Sequence, residues 1–216
     1  MRKLILLTFP IVCISLISQA QISKGAVLLG GNLSATNQES TSSNNYETST
    51  SGFNIAPSIG FVTKENTVWG FNTGFNHTKN KSITYPERQQ STGFSGGLFF
   101  RKYVTLGKGF YLFGQANAGY NQQKQESKFL TNNYSSVYKN HYVGVSAYPG
   151  ITYAVNKRFH LEAGLNELVS FGYRKENYKE SHTGSESTTK SNGFSFSTNL
   201  SNSNPLNVGF RLIIGK

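Results

Sequence analysis

The chain is 216 residues long and carries 21 Lys+Arg against 10 Asp+Glu, a formal charge of +11, and every one of its acids is Glu. One Cys excludes a disulfide scaffold, and the absence of Asp excludes metal, phosphoryl-transfer and protease sites built on that residue. With 22 Gly, 16 Phe and 12 Tyr, the composition suits β-structure and argues against disorder throughout.

Residues 1–20 read as a secretory signal peptide. Met1-Arg2-Lys3 is a positive head, Leu4 to Ile17 an apolar run, and Ser18-Gln19-Ala20 a small-residue cleavage site before Gln21. The run is about 14 residues, short of the roughly 20 that a spanning helix needs. Cys13 lies inside it without a lipobox, so a lipoprotein anchor is not expected. Cleavage would remove that Cys together with Arg2 and Lys3, lowering the charge from +11 to +9. Residues 21–216 then form the mature domain, in which no later stretch is apolar enough for a helical span.

Along the mature chain, apolar residues recur with period two, the signature of strands. Val27, Leu29, Leu33 and Ala35 begin the series, followed by Phe53, Ile55, Ile59 and Phe61, then Trp69, Phe71 and Phe75. Phe94, Leu98 and Phe100 form the fourth run, Phe110, Leu112, Ala116, Ala118 and Tyr120 the fifth, and Val143, Val145, Ala147, Ile151 and Tyr153 the sixth. The seventh opens with Phe159, Leu161, Ala163 and Leu165. Phe194, Phe196, Leu200, Leu206, Val208, Phe210, Leu212 and Ile214 keep one parity, predicting a single long eighth strand bent near Pro205. Most alternate positions hold Gly, Ser, Asn or Gln.

The connections alternate as well. Short ones are expected near Thr63–Asn66, Thr105–Gly109 and Val155–Arg158, and long polar loops at Glu39–Ser51, Lys79–Ser91, Gln122–Asn140 and Lys175–Asn192. Short turns at one end and long loops at the other predict an all-β fold, an eight-stranded antiparallel up-and-down transmembrane barrel. Its lipid-facing wall would include Phe53, Phe61, Trp69, Phe71, Phe75, Phe94, Phe100, Phe110, Phe159 and Phe210, and its narrow lumen the small polar residues. Aromatic belts are expected from Tyr103, Phe110, Tyr111, Tyr153 and Phe159 at the short-turn end and from Tyr85, Tyr120, Tyr142 and Tyr173 toward the loops. A soluble β-sandwich would alternate too, but its connections have no reason to sort by end.

The pattern, from Gly25 to Ile214, resembles the small eight-stranded outer-membrane β-barrel family of the OmpA/OmpX type. The resemblance implies a Gram-negative outer-membrane location, outer-membrane lipids and the barrel-assembly machinery as partners, and no cofactor. Such barrels commonly end in Phe, whereas this chain ends Phe210-Arg-Leu-Ile-Ile-Gly-Lys216, with Phe210, Leu212 and Ile214 keeping the alternation.

Chemistry-bearing residues are few. His77, His141, His160 and His182 show no metal-ligand spacing, so no metal site is expected. His160 and Glu162 share a face on lumen parity, which fits neither the lipid-side His–Ser–acid set of barrel esterases nor the Asp-dependent barrel proteases. Arg101, Glu162 and Arg211 all fall on lumen parity near the short-turn end, and a salt-bridged plug is the expectation there. Glu167 breaks the alternation: it either faces lipid near the outer interface or is displaced by a β-bulge at Asn166.

The basic excess gathers at the periplasmic rim. Lys24, Lys64, Arg101, Lys102, Lys108, Lys157, Arg158 and Lys216 stand there against Glu65, suited to phospholipid headgroups and not interleaved as a nucleic-acid face would require. The long loops, rich in Ser, Thr, Asn and Tyr, read as solvated segments or as a contact surface for an extracellular ligand. The expectation is thus a monomeric, non-enzymatic envelope protein with an adhesive surface and no wide pore. The alternatives are a lipid A-modifying enzyme and a soluble secreted β-sandwich binder.

Overall fold

A computed structural model describes residues 22–41, 47–82, 87–129, 134–165, 168–198 and 206–215, with the backbone alone for 206 and 207. The expected signal peptide, Tyr85, Glu167 and Lys216 lie outside the described residues. All regular structure among them is β: β1 Val27–Thr41, β2 Glu47–Lys64, β3 Thr67–Ser82, β4 Glu87–Gly107, β5 Phe110–Phe129, β6 Tyr134–Ala154, β7 Phe159–Leu165, β8 Val169–His182, β9 Ser185–Thr198 and β10 Leu206–Ile214.

These ten segments make the eight staves of a closed antiparallel barrel. β1 to β6 pair in sequence order. The outer half of β6 pairs with β8 and its inner end with β7, so β7 and β8 are successive parts of the seventh stave. In the same way β9 lies against β8 and β10 against β7 as parts of the eighth. The wall closes where Val27–Gly31 of β1 pairs with Phe210–Ile214 of β10. Above Gly31, the described residues of β1 pair with β2 alone, and β9 with β8 alone.

Four regions expected as long loops are largely strand. The staves run on as β-hairpins, and β5 and β6 keep register from Phe110↔Tyr153 to Phe129↔Tyr134. The last pair of staves turns at Thr183-Gly184, between His182 and Ser185, with Gly184 at φ +87°. Both faces of these extensions are largely polar, so no apolar alternation marks them as strands. The turns at the opposite end are short. Asn66 (φ 57°) serves the first, Gly107-Lys108-Gly109, all at positive φ, the second, and Asn156 the third, its Oδ1 accepting from the amides of Arg158 and Phe159 at 2.8 Å.

Period two sorts the side chains cleanly. Phe94, Trp69 and Phe71 project outward with 56%, 54% and 54% of their surface free, and Phe53, Phe61, Phe110 and Phe210 are likewise exposed. Phe75, Phe100 and Phe159 share this face, partly covered by aromatic neighbours. On β5 the outward apolar face covers Phe110–Tyr120, about 11 residues, the length a tilted strand needs to cross hydrocarbon. An apolar girdle of this size is a lipid-facing surface.

Aromatic contacts edge that girdle at both heights. Trp69–Phe100 (4.9 Å), Phe110–Tyr153 (4.7 Å) and Phe159–Phe210 (6.0 Å) lie at the short-turn end. Phe53–Phe75 (5.5 Å), Phe75–Phe94 (4.9 Å) and Tyr173–Phe194 (5.3 Å) lie toward the hairpins. Tyr103, Tyr111 and Tyr142 do not belong to these belts. Each sits near a girdle edge but on inward parity, and parity decides the face; Tyr103 and Tyr111 are buried inside, and Tyr142 lines the lumen.

Candidate functional site in the barrel lumen

The short-turn end of the lumen is packed, not hollow. Ile22, Ala26, Leu28, Val62, Val68, Phe99, Tyr103, Tyr111, Phe113 and Ile213 form one buried cluster inside the wall. The segment before β1 completes it. Ile22 donates its amide to Asn66 Oδ1 at 3.0 Å, and the Gly25 amide reaches the Val62 carbonyl at 2.9 Å. A salt-bridged plug within small polar filling was expected here; the apolar plug beneath it was hidden because its members are one or two inward residues each, contributed by β1 to β5, β10 and the segment before β1.

On this plug rests an ionic layer. Arg101 of β4 is fully buried, and its Nη1 donates to Glu162 Oε2 of β7 at 2.5 Å. Arg211 of β10 donates from Nε to Glu162 Oε1 at 2.9 Å. One carboxylate therefore bridges two guanidiniums from opposite parts of the wall. Neutral partners fix the rest: Arg101 Nε donates to Gln115 Oε1 (2.6 Å), Arg101 Nη1 to the Tyr103 hydroxyl (3.0 Å), and Arg211 Nη1 to Ser58 Oγ (2.5 Å). The Arg101 guanidinium also lies 4.0 Å from the Phe113 ring centroid. Gln115, Ser58 and Phe113 complete the layer, and the readable signal for Gln115 was its register opposite Arg101.

Lumen glycines make room for large side chains instead of filling space. A Cβ at Gly30 would meet the Arg211 guanidinium, one at Gly70 the Phe99 ring, one at Gly150 the Phe113 ring, and one at Gly172 the Tyr142 ring. Above the ionic layer a cavity of about 590 Å³ opens, lined by Asn32, Asn72, Asn117, Ser146, Tyr142 and Tyr148 among others. Its polar groups bond one another in part, as in Gln115 to Asn117 (2.7 Å) and Asn117 to Ser146 (3.2 Å).

The other singled-out residues are dispersed. His160 is buried and stacked on Tyr111 at 5.7 Å; His77 bonds Thr92 Oγ1 at 3.0 Å; His141 meets the Tyr120 hydroxyl at 2.6 Å; His182 lies 6.3 Å from the Tyr134 ring. Among the described residues no group of three His, Cys, Asp or Glu is placed to hold a metal. Lys24, Lys64, Lys102, Lys108, Lys157 and Arg158 are all exposed at the short-turn end, with Lys102 Nζ 3.0 Å from Thr67 Oγ1. Arg101, counted with that rim from sequence, belongs to the interior because its parity is inward.

Beyond the girdle the hairpins carry a network of tyrosines and carboxylates. The Tyr134 hydroxyl donates to Glu180 Oε1 (2.7 Å) and lies 3.2 Å from the Tyr178 hydroxyl; Tyr138 donates to Glu176 Oε1 (2.6 Å), and Ser191 to Glu176 Oε2 (3.0 Å). The Tyr138 bond, with its two flanking neighbours, holds the Glu176 carboxyl below the usual range, and Tyr134 with Tyr178 does the same for Glu180. Partial burial and the Glu176 charge push the Tyr138 phenol up to about 12.

Comparison with protein families matches residues 28–166 to the autotransporter β-domain. The chain belongs to the autotransporter β-domain family. This is an outer-membrane β-barrel family, and the match runs from β1 to the end of β7, most of the closed wall. The autotransporter β-domain places the protein in a Gram-negative outer membrane, in keeping with the outward apolar girdle. Comparison with curated proteins gives no match.

Proposed function

We propose that this autotransporter-family barrel is a non-enzymatic, monomeric envelope protein of the eight-stranded OmpA/OmpX type, whose outer hairpins form an adhesive contact surface. The observation that supports this reading is the length of the hairpins beyond the girdle. On β5 the outward face turns polar at Gln122 and runs on to Phe129, about 25 Å of strand beyond the lipid-facing part. Serine, threonine and asparagine are frequent in these ribbons and tyrosines are interspersed among them, a chemistry that offers rigid contact area with adaptable hydrogen bonding. The exposed basic rim at the other end suits inner-leaflet phospholipid headgroups. Export through a leader cleaved after Ala20, insertion by the barrel-assembly machinery, and the absence of any cofactor or nucleic-acid partner belong to the same reading.

The experiment removes Lys124–Lys139, joining β5 and β6 by a short turn at the height where those two residues pair. The shortened protein should still fractionate with the outer membrane and keep heat-modifiable gel mobility, while adherence of expressing cells to abiotic and host-cell surfaces falls several-fold. Unchanged adherence by an inserted, shortened barrel would refute the adhesive role. A mature protein freely soluble without detergent would refute the membrane role.

A further inference from the structure

We infer that the lumen above the ionic layer is a binding well for a small hydroxylated anion, with Arg211 at its floor receiving the negative charge. The cavity measures about 590 Å³, within the roughly 300–1,000 Å³ span of small-molecule sites. Among the described residues lining it, two are ionic, Glu162 and Arg211. Glu162 is already shared: Oε2 accepts from Arg101 and Oε1 from Arg211. Two cations therefore face one anion at the floor. The other partners there, Gln115, Tyr103 and Ser58, are neutral and cannot offset the second positive charge.

Beneath that floor, behind the residues that line the cavity, Arg101 Nη2 is buried without a hydrogen-bond partner. A charge left unbalanced in a narrow, poorly hydrated space draws a counter-ion, and a guanidinium fork matches a carboxylate or phosphate. At the upper end Arg174 lies 3.7 Å from Glu176. The walls supply the second half of the recognition. Asn72, Asn117, Ser146 and Tyr142 present amides and hydroxyls that both donate and accept, as the hydroxyl groups of a sugar acid or sugar phosphate require.

The test titrates the full chain, folded in detergent micelles at low salt, with glucose 6-phosphate, inorganic phosphate and glucose by calorimetry. Glucose 6-phosphate should bind saturably, one per barrel, and at least about tenfold tighter than glucose, with inorganic phosphate weaker than the sugar phosphate. Glu162→Gln leaves both floor cations unopposed and should tighten glucose 6-phosphate binding by about tenfold or more, whereas Arg211→Gln should weaken it by a similar factor. Should Arg211→Gln fail to fold, the charge-gain arm and the comparison of the three probes still decide. Equal binding of glucose and glucose 6-phosphate, or no tightening in folded Glu162→Gln, would overturn the proposal. Undiminished affinity in folded Arg211→Gln would place the anion on exposed lysines and overturn it too.

Discussion

Glu162 and Arg211 are not opposite one another in the sheet. Glu162 pairs with Gly209, and Arg211 with His160, so the 2.9 Å contact between carboxylate and guanidinium runs diagonally across the β7–β10 seam. The diagonal brings the carboxylate under Arg101 as well, and ties the last stave to the fourth through the interior. A barrel whose first and last strands meet over five residue pairs, Val27↔Ile214 to Gly31↔Phe210, gains a second tie beside that closure.

Removing the shared carboxylate should therefore loosen the closure. Glu162→Ala leaves two buried guanidiniums facing each other, and breaking a buried pair in this way costs about 3–5 kcal/mol. The folded, fast-migrating gel band should convert to the unfolded form at a distinctly lower temperature than in the wild type. Glu162→Gln should show a similar loss, part of which added glucose 6-phosphate recovers; an unchanged conversion temperature in Glu162→Ala would count against the tie.

Glycines that house lumen side chains should not accept bulk. Gly150→Leu would drive a side chain into the Phe113 ring and the Ala163 carbonyl, an overpacking cost of about 1–3 kcal/mol or more. Gly114→Leu, where an added Cβ meets nothing within 4 Å, should be tolerated. Urea unfolding in lipid vesicles compares the two, and equal midpoints would contradict the packing described.

Charge on the girdle should be penalised by depth. Leu98 projects outward from β4 between Phe94 and Phe100, so Leu98→Arg should cost about 2–4 kcal/mol if it lies near the bilayer midplane. Gln90→Arg, on the same face of β4 but beyond the girdle, should cost little. Folding yield into vesicles would separate them, and equal yields would place Leu98 outside the hydrocarbon.

The outer hairpins should lose order in acid before the barrel does. The folded carboxyl values of Glu176 and Glu180 lie below their unfolded values, so their contribution is present above the unfolded range near pH 4.3 and is lost as pH falls through the lower folded values. Tyr138 acts in the opposite sense. Its contribution is present below the unfolded phenol value near 10 and is lost as pH rises through about 12. Arg174, Tyr134, Tyr178 and Ser191 face the same carboxylates and move with them. Limited proteolysis should cut the β5–β6 and β8–β9 hairpins sooner at pH 3 than at pH 7 while the girdle strands stay resistant, and equal cutting rates would dismiss the network as an ordering element.

Alternation alone carried the architecture. It separated outward Phe94, Leu98 and Phe100 from inward Arg101, predicted eight staves, and set Arg101, Glu162 and Arg211 on one parity, because the pleat turns successive side chains to opposite faces whatever the rest of the chain does. It even contained the inward assignment of Tyr103, Tyr111 and Tyr142, which nearness to the girdle edge obscured. Height and neighbourhood are different quantities. They depend on register and strand tilt, set by all the pairings of the closed wall at once. Only the tertiary structure decided that Phe99, Phe113 and Ile22 stack into one plug, that glycines from other strands stand opposite their rings, and that polar ribbons with no apolar face continue as paired strands. The opening charge of +11 changes meaning accordingly. Much of it is exposed rim, but at the lumen floor two guanidiniums share a single carboxylate, a balance that composition could not reveal because it arises between residues far apart in the chain and adjacent only once the barrel has closed.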